Sequence, residues 1–569
     1  MSDMKTLPEL LAPAGTFEAA MAALKAGADA IYVGGRMLNA RMNAENLTDA
    51  QLSDLVRICH GRGVKVYVTL NTAVLDRELA DAIAYADGLY KMGVDALIVS
   101  DLGFASAVKG RYPDMELHAS TQASGTGTAS AEAFKRLGFS RMVCARELSL
   151  PEIKRLCKDS PIEIEQFVHG AMCVSQSGQC LASFVMGGRS GNRGVCAQPC
   201  RMKYNGSYPL SLKDMCLAGH ITDLIDSGVS SLKIEGRMKS PAYVYRVVSA
   251  YRRLLDQARN AEKTEIDELA TVFSRSGFTD GYYTSEINGK MNGIRSERDV
   301  KASAELKTSI KDLGRMLPEI KVSDRAPQGE ITLPRPPKRQ SGGKPIMTAR
   351  FLEPSQVCGQ ELFSHIYLPL DRYESGVCDG IVMPPSVFPK DEAELIKALE
   401  RAVSLGATEA LITHIGQIDL ALRYGLTPHG DFRLNVFNSS AAKLYTELGL
   451  RDVILSPELT LPQIRDISAP KSVIVYGRLP VMLLTKPVDE NTLIDKTGAK
   501  FPLIHGYGCD QLLNSVPIYM ADKTSQLDSY GVRGRHFMFT TEARRECLDI
   551  IKAYQNGTPS KQPIRRLPQ

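Results

Sequence analysis

Along the first 240 residues, short apolar runs rich in β-branched residues alternate with stretches of helical period. Each run ends in polar residues or glycine, as buried strands do where they reach the surface of a domain. In the first helical stretch Phe17, Met21 and Leu24 share one face, and Thr48 with Gln51 predicts a capping box before the next. The strand-like runs are Glu9–Pro13, Ala30–Gly34, Lys65–Asn71, Ala96–Asp101, Glu116–Thr121, Arg141–Arg146, Ile162–His169 and Ser231–Gly236.

Eight strand–helix units of this length predict a (β/α)8 TIM-type barrel, because a doubly wound open sheet usually has fewer strands. Active sites of such barrels lie at the C-terminal ends of the strands, so the polar residues that close the runs become candidates. The candidates are Asn71, Asp101, His118, Gln122, Arg146, Glu147, His169, Glu235 and Arg237, and all of them except Asp101 are proposed as catalytic residues.

The second part of the chain repeats this plan. Residues 135–153 align without a gap with residues 446–464, and residues 167–170 align with residues 474–477. We therefore predict a degenerate second barrel or half-barrel, whose expected role is to shape the substrate. Its strand-like runs are Pro345–Phe351, His365–Leu370, Gly380–Met383, Ala410–His414, Arg433–Phe437, Asp452–Leu455 and Pro517–Met520.

Composition sets the boundaries between these parts. Segments rich in Pro, Lys and Gly bury too little apolar surface to fold alone, which predicts a linker and a disordered tail. The predicted divisions are a barrel over 1–260, a helical extension over 261–321, a linker over 322–344, a second α/β repeat over 345–557 and a tail over 558–569.

The chain has 569 residues, of which 44% are hydrophobic and 23% charged, as in an ordinary globular protein. Its N-terminus lacks the apolar core of a signal peptide, and we find no apolar run long enough to span a membrane. We therefore expect a cytoplasmic protein with no membrane partner. A net charge of +5 is compatible with RNA as a partner without requiring it.

Five of the twelve cysteines, Cys173, Cys180, Cys196, Cys200 and Cys216, fall within one short segment. Without a secretion signal, thiols this dense usually bind a metal or a metal–sulfur cluster. The segment, residues 169–216, belongs to a loop of about sixty residues after the seventh predicted strand. Loops between a strand and the following helix usually have only about two to six residues. The length of this loop indicates a functional insertion.

Three explanations of the segment compete. A structural zinc site commonly uses close pairs of cysteines, and only Cys196 and Cys200 form one. Inert buried cysteines occur singly, as Cys59, Cys144 and Cys157 do. An iron–sulfur cluster tolerates wide and irregular spacing, and glycines within the segment provide the required loop freedom. The spacing favours the cluster and leaves zinc open.

The strings Glu165–Cys180 and Gly188–Arg201 resemble the signature of the collagenase-like peptidase family, peptidase family U32. Despite the family name, its better-understood members resemble redox enzymes that hydroxylate a tRNA uridine, an rRNA cytidine or the ubiquinone ring without dioxygen. Further matching segments are Leu10–Gly15, Tyr32–Gly35, Asn39–Arg41, Thr69–Asn71, His118–Gln122, Ala145–Leu148, Tyr476–Pro480 and Leu513–Pro517.

The resemblance implies an iron–sulfur-dependent, dioxygen-independent hydroxylase of an RNA base, with prephenate as co-substrate and an electron donor as a further partner. It places a 4Fe-4S cluster on Cys173, Cys180 and Cys196. The fourth ligand is expected to be Cys216, in a Lys-Asp-hydrophobic-Cys string that approaches the eighth strand, with Cys200 as the alternative.

Two alternative functions remain, that of a peptidase and that of a hydroxylase acting on a quinone ring. The sequence lacks the His-Glu-x-x-His and Gly-x-Ser-x-Gly motifs, which leaves a cysteine protease using one thiol near His169. In a hydroxylase, His169 is instead a candidate for contact with a cluster sulfur or for proton relay, and Tyr282 with Tyr283 for stacking on a base. Candidate binders of a carboxylate or phosphate are Arg36, Arg41, Arg146, Arg193 and Arg237.

Overall fold

The structure, a computed structural model, describes residues 7–42, 45–304, 325–335, 344–506 and 508–568. Its first half contains a closed parallel barrel, which confirms the predicted fold. The strands are β1 (Glu9–Ala14), β2 (Ala30–Gly34), β3 (Lys65–Leu70), β4 (Ala96–Val99), β5 (Glu116–Ala119), β6 (Arg141–Val143), β7 (Glu163–Gly170), β8 (Asp214–Cys216), β9 (Ser231–Ile234) and β10 (Phe278–Thr279). Strands β1 to β7 pair in chain order, and β9 closes the barrel by pairing with both β1 and β7.

Helices alternate with these strands and cover the outside of the barrel with their apolar faces. The predicted capping box is present, since the Thr48 side chain and the Gln51 side chain each accept from the other residue's backbone. The helices are α1 (Phe17–Lys25), α2 (Asp49–His60), α3 (Leu79–Met92), α4 (Leu102–Arg111), α5 (Thr128–Arg136), α6 (Leu150–Asp159), α7 (Ala182–Gly187), α8 (Ile221–Ser227), α9 (Pro241–Asp256), α10 (Lys263–Val272) and α11 (Glu297–Ala304).

A network of buried charges fills the first barrel towards the N-terminal ends of its strands. The Lys233 Nζ atom donates to Glu165 Oε1 at 2.6 Å, and the Arg141 guanidinium contacts both Glu9 and Glu165. Fully buried His118 lies in this layer, and neither of its ring nitrogens has a hydrogen-bond partner among the described residues. The charges pair with one another, as buried charges must.

The second half is also a closed eight-stranded parallel barrel. Strands β11 to β17 pair in chain order, and β23 joins β17 to β11. The barrel strands are β11 (Ile346–Arg350), β12 (His365–Pro369), β13 (Gly380–Val382), β14 (Glu409–Ile412), β15 (Thr427–Gly430), β16 (Val453–Ile454), β17 (Lys471–Gly477) and β23 (Gly534–Met538). The strands outside the barrel are β18 (Pro480–Leu484), β19 (Thr492–Ile494), β20 (Lys500–Gly506), β21 (Cys509–Leu513) and β22 (Ile518–Tyr519). Its helices are α12 (Glu392–Ser404), α13 (Gln417–Arg423), α14 (Ser439–Glu447), α15 (Leu461–Asp466), α16 (Thr524–Ser529) and α17 (Arg544–Asn556).

Two strand predictions in this half are wrong. The fifth barrel strand is β15 rather than 433–437, which includes part of a short 3₁₀ turn. The eighth is β23, while β22 pairs antiparallel with β17 outside the barrel. β15 escaped detection because its sequence, Thr-Pro-His-Gly, directs polar His429 into the interior and so lacks the apolar alternation of a strand.

The remaining predicted segments are partly visible. α10 and α11 lie within the predicted helical extension, while residues 305–321 of it and residues 322–324 and 336–343 of the linker lie outside the described residues. In place of the expected disorder, residues 558–568 lie along the second barrel, because Leu567 is buried and Arg566 pairs with Asp522 at 2.6 Å. Among the described helices, none combines the length and apolarity needed to cross a membrane.

The antiparallel sheet β18–β21 follows the seventh strand of the second barrel, as the cysteine segment follows the seventh strand of the first. The two insertions contact each other through the backbone. The Gln176 amide donates to the Leu483 carbonyl oxygen at 3.0 Å, and the Leu181 amide donates to that of Val481 at 2.8 Å. The second barrel thereby supports the segment that carries the cysteines.

Candidate functional site

A cavity of about 430 Å³ opens at the C-terminal ends of the first barrel's strands, where TIM-type barrels hold their active sites. Strand ends form one wall, and the cysteine segment forms the other. The principal polar and sulfur-bearing lining residues are Tyr32, Arg41, Asn71, Gln122, Arg146, Cys173, Cys180, Cys196, Cys200, Arg201, Lys233, Glu235, Arg237, Lys239 and Arg275.

The cysteine segment is seated on the barrel mouth through close backbone contacts at two glycines. Gly178 has φ +80°, and a Cβ atom there would lie 2.3 Å from the Gln122 carbonyl oxygen. Gly194 has φ +81°, and its Cβ atom would lie 2.4 Å from the Asn39 carbonyl oxygen. Both positions therefore require glycine. They fix the chain beside Cys180 and Cys196.

Arg201 joins distant parts of the same segment. Its guanidinium donates to the Met172 carbonyl oxygen and to the Ser211 hydroxyl, both at 2.9 Å. Met172 directly precedes Cys173, and Arg201 directly follows Cys200. These hydrogen bonds hold the first and fourth cysteines of the segment on one side of the cavity.

Cys173, Cys180, Cys196 and Cys200 all line the cavity. Burial, together with the charges of Cys173 and Cys196, raises the pKa of Cys200 to about 12 against the opposing effect of Arg201. Burial, together with the other three thiols, also raises the pKa of Cys180. Thiolates would repel one another here, and a bound cationic centre would relieve the repulsion. The four donors therefore fit a metal or an iron–sulfur cluster.

The four thiols are spread more widely than the ligands of a bound zinc ion. In the described part of the chain, one group of ligand atoms lies mutually within 4.8 Å, and it is in the second barrel. A tetrahedral zinc ion would hold its sulfur ligands only about 3.8 Å apart, given a Zn–S distance of about 2.3 Å. A single zinc ion would therefore require these thiols to move closer together.

Cys216 lies apart from these four thiols. It is on β8, opposite His169 of β7, and does not line the cavity. Its Sγ atom is 3.8 Å from the Tyr251 hydroxyl, and burial raises its pKa to about 11. Thus Cys200, expected only as the alternative ligand, is the residue placed with the other three.

Glu235 lies among guanidinium groups at the strand ends. Arg41 Nη2 is 3.3 Å from Glu235 Oε1. Burial by itself would raise the pKa of Glu235, but the charges of Arg41, Arg146 and Arg237 outweigh that effect and lower it. Arg237 donates to the Thr69 hydroxyl at 2.7 Å, and burial with the charge of Arg41 lowers its pKa to about 10. Glu235 thus remains an anion that orients these cations.

Positive charge dominates the cavity. Seven basic side chains and one carboxylate line it. Arg146 lies over the Phe167 ring, with its guanidinium carbon 3.9 Å from the ring centroid. At the opposite end, burial lowers the pKa of Lys239 to about 7, with Arg275 and Arg295 adding to the effect of burial and Asp214 opposing it. The arrangement suits a ligand with more than one negative charge.

Among the other predicted catalytic residues, Asn71 and Gln122 line the cavity, and Asn71 accepts from the Ala40 amide at 3.0 Å. His118, Glu147 and His169 do not line it. Burial raises the pKa of Glu147 and lowers that of His169 to about 3, so the His169 imidazole is neutral. Asp101 caps α4 and accepts from the Phe104 amide.

Several other candidates lie outside the cavity. Arg193 pairs with Glu78 at 2.6 Å, and Arg36 pairs with Asp49 at 3.7 Å. Tyr282 and Tyr283 are buried and do not line it either.

Three residues that line the cavity, Lys233, Arg201 and Arg275, were not predicted from the sequence. Lys233 of β9 lies two residues before Glu235, which follows the strand, and this spacing puts both on one face, a signal that the sequence did contain. Arg201 lies within the cysteine segment that the sequence had singled out. Arg275 follows α10, and nothing in the sequence connects that position with the barrel mouth.

The family model of peptidase family U32 matches residues 15–292 and 382–484. A "23S rRNA 5-hydroxycytidine C2501 synthase" of Escherichia coli is 42% identical over 260 residues, 44% of this chain and 39% of that protein. A "tRNA hydroxylation protein P1" of Bacillus subtilis is 38% identical over 266 residues, 44% of this chain and 63% of that protein. A "Collagenase" of Porphyromonas gingivalis is 35% identical over 313 residues, 50% of this chain and 75% of that protein. The chain thus spans well under half the length of the first of these relatives.

Proposed function

The chain belongs to peptidase family U32, as its signature predicted, and we propose that it is an iron–sulfur-dependent hydroxylase of an RNA base. The names of two relatives, an rRNA hydroxycytidine synthase and a tRNA hydroxylation protein, support this proposal. The observation that carries it is the grouping of four thiols with a guanidinium-rich wall in one cavity at the barrel mouth.

In this proposal Cys173, Cys180, Cys196 and Cys200 bind a 4Fe-4S cluster. Cys200 replaces Cys216 as the proposed fourth ligand, because Cys200 lines the same cavity as the other three thiols. When bound, the cluster supplies one-electron chemistry and requires an electron donor as partner.

The basic wall binds the co-substrate. Arg41, Arg146 and Arg237 present planar donors suited to carboxylates, and prephenate, which carries two carboxylates, is the proposed co-substrate. Glu235 holds Arg41 in place through their 3.3 Å ion pair. A cavity of about 430 Å³ accommodates a small molecule of this size. Dioxygen is not required in this scheme.

The RNA base must leave its stack to enter such a cavity. Asn71 and Gln122 lie on the rim formed by β3 and the turn after β5, where amide groups can bind the edge of a pyrimidine. Lys239 and Arg275, at the opposite end, are suited to the backbone phosphates. A tRNA uridine or an rRNA cytidine is the proposed target.

Peptidase activity is the alternative that the relative named as a collagenase suggests. A cysteine protease needs an ionised thiol next to a histidine. No histidine is among the described residues that line the cavity, and burial raises the pKa values of Cys180 and Cys200, which disfavours a nucleophilic thiolate. The cavity therefore favours the hydroxylase.

Nucleoside mass spectrometry of total RNA tests the proposal in a strain that lacks this protein. We expect the loss of one hydroxylated pyrimidine nucleoside, restored by the wild-type chain and by Cys216→Ser but not by Cys200→Ser. The purified proteins should show the same division in iron and sulfide content, since only Cys200 is a proposed ligand. An unchanged nucleoside spectrum would remove RNA as the substrate. Iron retained in Cys200→Ser and lost in Cys216→Ser would reverse the ligand assignment.

A further inference from the structure

The second barrel contains a group of ligand-type side chains outside the site described above. His365 is the first residue of β12, Glu409 is the first residue of β14, and His429 lies in β15. One potential ligand atom from each lies within 4.8 Å of those of the other two. Gly380 of β13 leaves room between them, because a Cβ atom there would lie 2.8 Å from Glu409 Cβ.

The first barrel shows what usually fills this level of the fold. There, Arg141 and Lys233 neutralise Glu9 and Glu165 by direct ion pairs. His429 matches His118 in the extended gapless alignment of the two halves.

The second barrel differs at the equivalent positions. In the same alignment, Asp452 takes the place of Arg141. Leu11 of β1 pairs with both Lys233 and Ala30, and Thr348 of β11 pairs in the same way with both His536 and His365. His536 therefore corresponds to Lys233, and His365 corresponds to Ala30. Arg141 and Lys233 have thus been replaced by an acid and a histidine, and both Glu409 and Asp452 face His429.

The ligand types indicate what could balance these two carboxylates. Two imidazoles and one carboxylate form the donor set of three-ligand zinc sites, in which water takes the fourth position. His429 Nε2 lies 2.9 Å from Glu409 Oε2, a gap that a shared proton or a shared metal ion can bridge. Ligands of a tetrahedral zinc ion lie about 3.3 Å apart at metal–ligand distances of about 2.0 Å, so only small side-chain movements are needed.

The surroundings of His429 add an independent feature of metal sites. Its Nδ1 atom is 2.9 Å from Asp452 Oδ1. A carboxylate that accepts the second ring proton fixes the tautomer and directs the other nitrogen to the metal. His365 and Glu409 are only half-buried, which gives an ion a route from solvent.

We propose that His365, Glu409 and His429 bind a divalent ion of the zinc class at the N-terminal end of the second barrel, where it ties β12, β14 and β15 together. The N-terminal end of a barrel serves stability rather than catalysis, so we assign the ion a structural role although its three protein ligands leave one position for water. Asp452 is a positioning residue, acting through His429. The inference is independent of the hydroxylase proposal, since it concerns neither the cysteines nor their cavity.

Cobalt(II) titration of the full-length protein tests the proposal. With accessible ions first removed by a chelator, we expect the wild type to bind about one equivalent of Co²⁺ with weak visible bands and no sulfur-to-cobalt charge transfer. His365→Asn and Glu409→Gln should abolish this binding. Asp452→Asn should weaken it by about 10–100-fold, the range measured when such outer partners are lost. His505→Asn is the matched control, because His505 is exposed and pairs with Asp510 elsewhere.

Thermal unfolding keeps the test decisive if a variant folds poorly. Zn²⁺ should raise the Tm of the wild type and of His505→Asn, because an ion that binds only the folded state stabilises it by mass action. It should leave the Tm of His365→Asn unchanged, and this substitution should disturb folding least of the ligand substitutions because His365 is partly exposed. Equal Co²⁺ binding by the wild type, His365→Asn and Glu409→Gln would overturn the proposal. So would a cobalt spectrum dominated by sulfur, which would place the ion on the cysteines.

Discussion

Individual buried charges in the first barrel depend on partners from distant parts of the sequence. Lys233 is 4% exposed and Glu165 is fully buried, and their side chains meet at 2.6 Å between β9 and β7. Burial lowers the pKa of Lys233, and the adjacent Glu165 carboxylate opposes that effect. Such a pair contributes little when intact, but removing one partner leaves the other charge unpaired in the interior.

Lys233→Met should therefore lower the free energy of unfolding by about 3–5 kcal/mol, because Glu165 loses its closest cation. Urea denaturation followed by circular dichroism measures this change. Lys443→Met is the matched control, since Lys443 is 76% exposed on α14 and should change stability by no more than about 0.5 kcal/mol. Equal effects of the two substitutions would contradict this account of the network.

At the scale of elements, the cysteine segment is held by both barrels. Asn192 of the segment donates through its side chain to Glu458 at 3.2 Å, and Glu458 lies in the loop between β16 and α15. Burial raises the pKa of Glu458 to about 7, while hydrogen bonds from Ser190 and Asn192 and the charge of Arg193 oppose that effect. The segment thus closes over a carboxyl group that the second barrel contributes.

This junction makes stability depend on pH. The folded Glu458 carboxyl keeps its proton to a pKa of about 7, whereas an unfolded glutamate loses it near pH 4.3. The folded state binds more protons in this window, so stability falls as pH rises from about 4.3 to about 7. We expect the difference in unfolding free energy between the wild type and Glu458→Gln to decrease by about 3 kcal/mol as the pH rises from about 4.3 to about 7.

Urea titrations at several pH values measure this difference. Glu447→Gln provides the control, because Glu447 is 59% exposed on α14 and its difference from the wild type should stay flat. A flat difference for Glu458→Gln as well would show that the carboxyl is solvated in the folded state.

At the scale of the whole molecule, the two barrels pack through equivalent surfaces. A Cβ atom on Gly103 of α4 would lie 2.3 Å from the Ala441 amide nitrogen of α14. A Cβ atom on Gly416, just before α13, would lie 2.8 Å from the Ser130 amide nitrogen of α5. In both contacts, a residue that follows the fourth strand of one barrel touches the helix that follows the fifth strand of the other barrel. Because the two contacts are reciprocal, the halves are related by an approximate two-fold axis.

Gly103→Ala should push α4 and α14 apart and lower the free energy of unfolding by about 1–3 kcal/mol, the usual cost of overpacking a close contact. Gly110→Ala, on the same helix, meets no atom within 4 Å and should be neutral or stabilising by up to about 1 kcal/mol. Differential scanning calorimetry compares the two. A destabilising Gly110→Ala with a neutral Gly103→Ala would contradict the proposed interface.

Local patterns predicted much of this architecture. The eight apolar runs of the first barrel are β1 to β7 and β9, and the seventh is followed by the cysteine segment as expected. The match between residues 135–153 and 446–464 continues without a gap back to His118 and His429, and that extension would have located β15. The roles of His118 and Cys216 could not be judged, because the depth of a side chain within a barrel depends on the neighbouring strands.

The sequence by itself determined the repeated barrel plan, the family signature and the density of thiols, since each is written in periodicity or in short local strings. Only the tertiary structure decided which thiols share a cavity, that Arg275 joins them, and that His365 approaches His429. These outcomes depend on strand register and on how a long loop folds back over the barrel. Side chains far apart in the chain are brought together by packing, which no local pattern records.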